Sequence, residues 1–585
     1  MSDVASLAAR PSVEPAPTAT RRRLIVLALN LALLAALAAG VAAVLAPGGW
    51  TVAEVLFLAA FLVAAPWTVL GFWNAVIGLW LLHGRRDGLA AVAPFARAAE
   101  AGERLRLTTA VLMTLRNEDP ARALARLEIV ERSIAATGEG EHFRYFILSD
   151  TSSPEIAAGE EAAFAAWRAR SEHPDRIVYR RRADNAGFKA GNLRDFLDRW
   201  GGAHDLMLPL DADSLMDGAT VVGLVRMMQA SPGLGILQSL VVGAPAASAF
   251  ARIFQFGMRA GMRSYTTGAA WWTADCGPFW GHNALVRIAP FRAHCDLPVL
   301  PGRPPLGGPI LSHDQVEAVL MRRAGYAVRV LPVEGGSFEE NPPTLLDFMA
   351  RDQRWCQGNL QYPRLLALPG LLPTSRFQLA WAILMFLGVP AATLMTALVP
   401  LLVLDAAGTP VGLALALYLG FLGLNLVPKL AGYLDIGLTP GGARAYGGLG
   451  RVLAGAALET VFSYLLEPVS RLRTTLFMAG LALGRSITWG GQERDARGLR
   501  WGAAFAMLWP SPVFGLAVLG ATAVSSPAAA LWALPVTLGH LVAVPFAVAT
   551  ASPTLGRWLA GHRLCAIPEE LAPPPEIAAL RGAGR

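Results

Sequence analysis

The sequence runs to 585 residues with a formal net charge of +7; 54% of its residues are hydrophobic and only 16% are charged. Soluble domains carry about 25% charged residues, so the composition excludes a chain that is soluble throughout. The basic residues form no basic arm or helix, which argues against a nucleic-acid partner. The four cysteines (Cys276, Cys295, Cys356 and Cys565) include no CxxC pair that would suggest a zinc site or a disulfide framework.

In chain order, residues 1–20 are rich in Pro, Ala and Ser, and a disordered cytoplasmic N-terminus is expected over 1–23. Arg21, Arg22 and Arg23 precede an apolar run over 24–46, long for a signal-peptide core and long enough to span a bilayer. A second run covers 54–82. The turn between them, Pro47-Gly48-Gly49, carries no Lys or Arg, whereas Arg85 and Arg86 follow the second. Two transmembrane helices over 24–83 therefore leave both the N-terminus and residue 85 onward in the cytoplasm. Residues 100–345 alternate strand-like and helix-like segments. The strands, at 107–115, 143–150, 176–182, 205–213, 235–241 and 326–332, are mostly apolar runs, several ending in acidic or polar residues. That pattern predicts a parallel sheet buried on both faces, with function at the carboxyl ends of its strands. Residues 249–263 have an amphipathic period that suits either a core-facing or a membrane-surface helix.

Residues 346–375 form a predicted interfacial region, and 376–550 a transmembrane bundle of four to six helices. Its apolar segments lie at 377–403, 411–431, 450–467, 472–487, 503–524 and 528–549. The pair 450–467 and 472–487 is short and separated by Glu467, Arg471 and Arg473, so both segments span or both lie at the interface. Either parity leaves 488–502 as a cytoplasmic loop and 551–585 as a cytoplasmic tail. The predicted fold class is a membrane α-helical bundle plus a cytoplasmic α/β domain.

Five groups of residues carry chemistry. Asp211 and Asp213 close the strand "LMLPL"; carboxylates two apart on an extended chain point the same way and can hold a divalent cation, Mg²⁺ or Mn²⁺, that bridges a diphosphate. Asp150 ends "FILSD", placed for a base edge or ribose, or as a helix cap. Lys189 and Asn192, in "KAGN", suit phosphate or sugar oxygens. Asp314, in "SHD", opens an apolar helix and is a candidate base or a cap. "RDQRWCQGN" sets Arg351 and Arg354 on one helix face with Trp355 adjacent; Arg forks bind pyrophosphate and an indole face stacks on sugar.

These residues occur in one order that resembles the processive family 2 glycosyltransferases, which include cellulose and hyaluronan synthases. The resemblance is closest to the branch that builds the backbone of osmoregulated periplasmic glucans. It rests on "DNAGFKAGNLRDF", "LDADSLM", "FWGHNALVR", "LSHDQVEA" and "SFEENPPTLLDFMARDQRWCQGNLQ", and covers roughly 105–375 strongly. It implies a glycosyltransferase A-type (Rossmann-like) domain in a multi-pass protein of the bacterial inner membrane. Asp150 would contact uracil, and Lys189, Asn192 and Arg354 would border the donor. Asp211 and Asp213 would hold metal-bound UDP. Asp314 would be the base, and Trp355 with Phe279 and Trp280 of "FWGHN" would hold the acceptor.

The implied activity is inverting, processive transfer from UDP-glucose to a growing β-1,2-glucan, extruded through the bundle. Acyl carrier protein and a periplasmic glucan-processing protein are partners by resemblance only. Three departures stand out. Arg351 replaces the Gln of Q-x-x-R-W, with Gln353 off register; Ser312-His313-Asp314 replaces T-E-D; and no FxVT gating motif occurs, Ile487–Gln492 taking its position. Some relatives carry N-terminal extensions, so a partner held through one is not expected. A lipid-acceptor glycosyltransferase shares the donor motifs but not the argument from the Arg-Trp helix and linked spans. A nucleotide-binding transporter is disfavoured because no Walker A sequence occurs.

Overall fold

The computed structural model describes residues 16–100, 102–404, 408–485 and 494–583. Two long apolar helices lead, α1 (Ala16–Leu45) and α2 (Val52–Gly84). A capping box starts α2, with Thr51 and Glu54 satisfying each other's backbone N–H groups. Residues 16–23 are helical rather than disordered. Arg23 explains part of this: its guanidinium donates to the Trp272 and Thr273 carbonyls and pairs with Asp275 at 2.5 Å, which ties the start of α1 to the next domain.

The α/β domain follows as β1 (Thr109–Leu115), α3 (Pro120–Ala136), β2 (Phe143–Ser149), α4 (Pro154–Arg170), β3 (Ile177–Arg181), α5 (Phe188–Arg199) and β4 (Leu206–Asp211). It continues with β5 (Leu215–Met216), α6 (Gly218–Ala230), β6 (Leu234–Ser239), β7 (Val242–Gly243), α7 (Ala249–Thr273) and β8 (Ala284–Arg287). Then come α8 (Asp314–Arg323), β9 (Ala327–Leu331), β10 (Ser337–Glu339) and α9 (Leu345–Asn359). The main sheet has the order β3-β2-β1-β4-β8-β6-β9, and β5-β10-β7 form a small second sheet. All pairings in the main sheet are parallel except those of β8, which runs antiparallel to both β4 and β6. The six expected strands are present; β8 is the addition, too short to show an apolar run. Alternate residues of β1 and β2 enter opposite cores, with Val111, Met113, Tyr145 and Ile147 on one face and Ala110, Leu112, Phe146 and Leu148 on the other. This is the two-sided burial that makes parallel strands continuously apolar.

The amphipathic α7 is core-facing in its N-terminal half and packs on apolar helices in its C-terminal half. Its N-terminal half carries core residues such as Phe250 and Phe256. Its C-terminal half packs backbone to backbone on α2, where a Cβ placed on Gly78 would fall 1.7 Å from the Ser264 carbonyl oxygen. On the other side Gly432 abuts Ala260.

Three more long apolar helices follow: α10 (Pro373–Leu404), α11 (Val411–Leu438) and α12 (Leu449–Ala482). With α1 and α2, five helices are long and apolar enough to cross a membrane. The bent pairs Trp501–Leu508 with Pro510–Ser525 and Pro527–Leu541 with Ala543–Thr550 raise the number to seven if each is one span. The segments 450–467 and 472–487 are therefore not two helices: α12 runs through Glu467, Pro468 and Arg471 without a break, and Glu467 and Arg471 pair one turn apart. Part-way along, α12 lies against α7 (Phe462 on Phe250, centroids 5.2 Å apart), and three turns further on Thr474 donates to Asp352 of α9 at 3.3 Å. The middle of α12 thus meets the α/β domain. The C-terminal tail also closes on that domain. Glu569 pairs with Arg259 at 3.0 Å, Glu570 with Arg252 at 2.6 Å, and Ile577 is buried in the core.

Candidate active site

The site forms where the carboxyl ends of β1, β2 and β4 meet the loops before β8 and α8. Each apolar strand stops at a polar residue because the chain there leaves the core. At the end of β4 the Ser214 N–H donates to the Asp211 carbonyl and the Asp211 N–H donates to Ser214 Oγ, both at 3.0 Å. That tight turn presents Asp211 and Asp213 from one point. Lys189 Nζ is hydrogen-bonded to Asp211 Oδ1. Burial pushes the Asp211 carboxyl up, but Lys189, with His282 and Arg494 behind it, holds it well below the usual carboxylate range. Asp213 pairs with Arg494, whose Nε also lies 3.5 Å from Glu118 in the loop after β1.

Lys189 reaches this point because α5 begins in a tight glycine turn. Gly187 has φ +72°, and a Cβ on Gly191 would lie 2.0 Å from the Ala186 oxygen. A second close approach completes the cleft. Gly281, φ +79°, faces three chemistry-bearing side chains: a Cβ there would lie 3.4 Å from Asp314 Cβ, 3.8 Å from Lys189 Nζ and 3.8 Å from His313 Cε1. Lys189, Asp211, the "FWGHN" loop and Asp314 therefore share one cavity wall. Asp314 is half-buried at the first residue of α8, and among the described residues nothing hydrogen-bonds its carboxylate.

On α9, Arg351 stacks on Trp355 (4.8 Å to the ring centroid), and Trp355 stays 47% exposed. Burial lowers the Arg351 guanidinium, opposed by Glu339 and Asp213, so Arg351 faces the acidic end of the cleft. Arg354 is lowered by burial and by the neighbouring Arg351 and Arg494. Arg351 and Arg354 thus turn toward the charged groups of the cleft, while Leu345 and Met349 of the same helix enter a core and Asp352 accepts from Thr474 of α12.

Two expected site residues are turned into the wall, and a third is held by a protein partner. Asn192 is buried at 1% exposure; it accepts from Arg180 at 2.7 Å and donates to the Leu148 carbonyl at 2.9 Å, so both polar ends are used in the wall. Phe279, also 1% exposed, is core and presents no face to a sugar. Asp150 gives both carboxylate oxygens to Arg182, at 2.8 and 2.6 Å. Trp280 is half-buried and packs against the aromatic cluster beside α2, its backbone N–H donating to Gln238. The segment Ile487–Gln492 lies outside the described residues.

Four groups beyond the expected set line the cleft: Glu118, His282, Glu339 and Arg494. His282 lies 3.5 Å from Glu339, and burial raises both the Glu339 and the Glu118 carboxyls. Glu339 lies in "SFEEN", a stretch that carried the resemblance, whereas Glu118, in the loop after β1, was not singled out. Arg494, far along the chain, had no local signal. Among the described residues no three metal-ligating side chains converge. The Asp211 and Asp213 carboxylates nevertheless fit a hard divalent cation, because each already holds a cationic side chain in contact.

The description "Glycosyl transferase family group 2" matches residues 206–422. The glucans biosynthesis glucosyltransferase H of Xanthomonas euvesicatoria pv. vesicatoria is 39% identical over 552 residues, covering 91% of this chain and 84% of that protein. The protein of the same name from Xylella fastidiosa is 37% identical over 574 residues, covering 92% and 87%. That of Vibrio cholerae is 35% identical over 561, covering 91% and 75%. Among solved structures, the mannosyltransferase PcManGT of Pyrobaculum calidifontis, in complex with GDP-Man and Mn²⁺, covers 62% of this chain and 98% of its own. Its TM-score is 0.36 and its identity 16%, too loose an overlap to carry an argument.

Proposed function

The chain belongs to the glucans biosynthesis glucosyltransferase H family, and from that premise we propose that it transfers glucose from UDP-glucose, with inversion, onto a growing β-1,2-glucan. The observation that carries the reading is the meeting of Lys189, Asp211, Gly281 and Asp314 at one cleft from four separate elements.

In this reading Asp314, without a hydrogen-bond partner among the described residues, takes the proton of the acceptor hydroxyl as that oxygen attacks C1 of the donor glucose. General-base assistance of this kind is worth roughly 10²–10⁴-fold. Asp211 and Asp213 would hold a divalent cation, which when bound neutralises charge on the leaving UDP. Lys189 and the Arg351–Arg354 face offer positive charge to the diphosphate. Asp150, braced by Arg182, borders the nucleoside end. The exposed face of Trp355, oriented by Arg351, supports the acceptor sugar, a role that the buried Phe279 does not share.

The contacts of the flanks support six crossings: α1, α2, α10, α11 and the two bent pairs, with α12 lying along the catalytic domain. That arrangement keeps the N-terminus, the catalytic domain and the tail on the cytoplasmic face of the inner membrane. Six crossings exceed what anchoring requires, and a polar glucan needs a protein-lined path through lipid.

The test incubates membranes containing the protein with labelled UDP-glucose and Mg²⁺, beside an Asp314→Asn control. Labelled polymer degraded by a β-1,2-specific glucanase, and missing from the control, is the expected result. Label in the lipid extract without polymer would replace the reading with transfer to a lipid. Near-normal turnover by Asp314→Asn would place the base elsewhere.

A further inference from the structure

His313 precedes Asp314 and is buried, its Nδ1 2.9 Å from Oε2 of Glu317. Glu317 is one helical turn further on and only 2% exposed; its backbone N–H donates to the His313 carbonyl at 2.9 Å, which fixes the first turn of α8. Among the described residues, His313 is the only side chain hydrogen-bonded to the Glu317 carboxylate. A carboxylate so deeply buried needs a cation beside it or must take up a proton. The imidazole is also 3.8 Å from the Cβ position of Gly281, on the same wall as Asp314.

The groups facing His313 come from every side. Glu317 and Asp314 lie on its own helix, Lys189 comes from α5, and Gly281 brings no charge. The Tyr362 hydroxyl is committed to the Ser312 carbonyl at 2.8 Å. Burial pushes the imidazole down, but the Glu317 charge and hydrogen bond, with Asp314, outweigh burial and Lys189, so it is held above its ordinary value.

We propose that His313 is a positioning residue for glucosyl transfer: hydrogen-bonded to the buried Glu317, it places a positive charge beside Asp314 and fixes that carboxylate at the head of α8. The inference rests on Asp314 being the base. The His313 proton is not transferred. The acceptor proton goes to Asp314, the acceptor O–C1 bond forms, and the C1–O bond to UDP breaks with its electron pair leaving on UDP. The sign of the pH effect follows. The imidazolium is present below the raised His313 value, so turnover declines as pH rises through it. Removing the Glu317 charge moves that decline to lower pH.

The experiment measures kcat and KM for UDP-glucose against pH, with the full-length protein in nanodiscs, for the wild type and for Glu317→Gln, His313→Gln and His313→Arg. Glu317→Gln is expected to move the alkaline limb of kcat down by about one pH unit, with KM unchanged. His313→Gln, which keeps an amide beside Glu317, loses the alkaline limb together with about tenfold or more of kcat. His313→Arg, charged at every pH used, regains part of kcat without the limb. A wild-type alkaline limb in Glu317→Gln overturns the proposal. Should Glu317→Gln fail to fold, a wild-type limb in His313→Gln does the same. An Asp314→Asn enzyme assayed in parallel separates the two failures. If it is inactive while the limbs stay put, only the His313 assignment falls; if it turns over, the base assignment falls with it.

Discussion

The crossing of α2 and α7 is the joint between the membrane helices and the catalytic domain, and glycine makes it. A Cβ on Gly78 would sit 1.7 Å from the Ser264 oxygen and 2.6 Å from its carbon, and one on Gly268 would sit 1.8 Å from the Asn74 oxygen. Neither neighbour is a side-chain tip that can swing away, so Gly78→Ala forces the two backbones apart by more than an ångström. Overpacking of this kind costs about 1–3 kcal/mol and occasionally more, against about 0.5–1 kcal/mol gained from helix propensity. Gly71 on the same helix is the control. A Cβ there meets only Tyr265 Cε2 at 3.9 Å, an ordinary contact, so Gly71→Ala keeps the gain and avoids the clash. The expected difference between the two variants is about 1–3 kcal/mol. It is read as a lower melting temperature for Gly78→Ala in nanodiscs by tryptophan fluorescence, with transferase activity lost earlier on heating. Superposable melting curves for the two would refute the claim that backbone contact at this crossing joins the layers.

Other outcomes follow from single side chains. Asn192→Ala removes the side-chain donor to the Leu148 carbonyl and one of the acceptors of Arg180, which keeps Asp195 and the residue-192 carbonyl; it should lower stability by about 1–3 kcal/mol while leaving KM for UDP-glucose within about twofold. Lys189→Met should raise that KM about tenfold or more, measured by initial rates, because it strips the cleft of the cation on Asp211. Arg494→Gln removes a guanidinium that competes for Asp213, so donor-free Mn²⁺ binding followed by electron paramagnetic resonance should tighten about tenfold. Glu569→Ala leaves Arg259 with Glu334 as its remaining carboxylate partner; it should cost up to about 3 kcal/mol and expose the tail to limited proteolysis.

The parts of the fold legible in the sequence were those where burial is continuous. β1, β2 and β4 announce themselves as apolar runs because both faces are covered, and their ends were visible because Asp150 and Asp211 break the runs. β8 was not legible: four residues between two longer strands leave no period to read. α12 was misdivided because Glu467, Arg471 and Arg473 interrupt its hydropathy. In the folded chain Glu467 and Arg471 pair one turn apart, so the helix runs through them unbroken. In the site, residue type identified Lys189, Asp211, Asp213 and Asp314 as candidates but could not give direction. Asn192 and Phe279 have the chemistry of ligands and point into the wall. Arg494 could not be found locally, because only the return of the chain after α12 brings it to Asp213.

That return matters for how the cleft stays charged. Glu118, Asp211, Asp213 and Glu339 crowd one corner, and like-charge crowding favours the neutral acids, in the same direction as the burial that raises Glu118 and Glu339. Asp211 is held low instead because Lys189 sits directly on it, and Asp213 is paired with Arg494. The two carboxylates suited to a divalent cation are therefore the two that the protein supplies with cations of its own. An incoming ion has to displace an ammonium and a guanidinium, whose bonds to carboxylate are strong but exchangeable. The cost falls on binding rather than on chemistry. A diphosphate arriving with the metal can offset it by accepting the displaced Lys189 and Arg494, so cation and nucleotide are expected to bind with positive cooperativity, each weak alone and tight together.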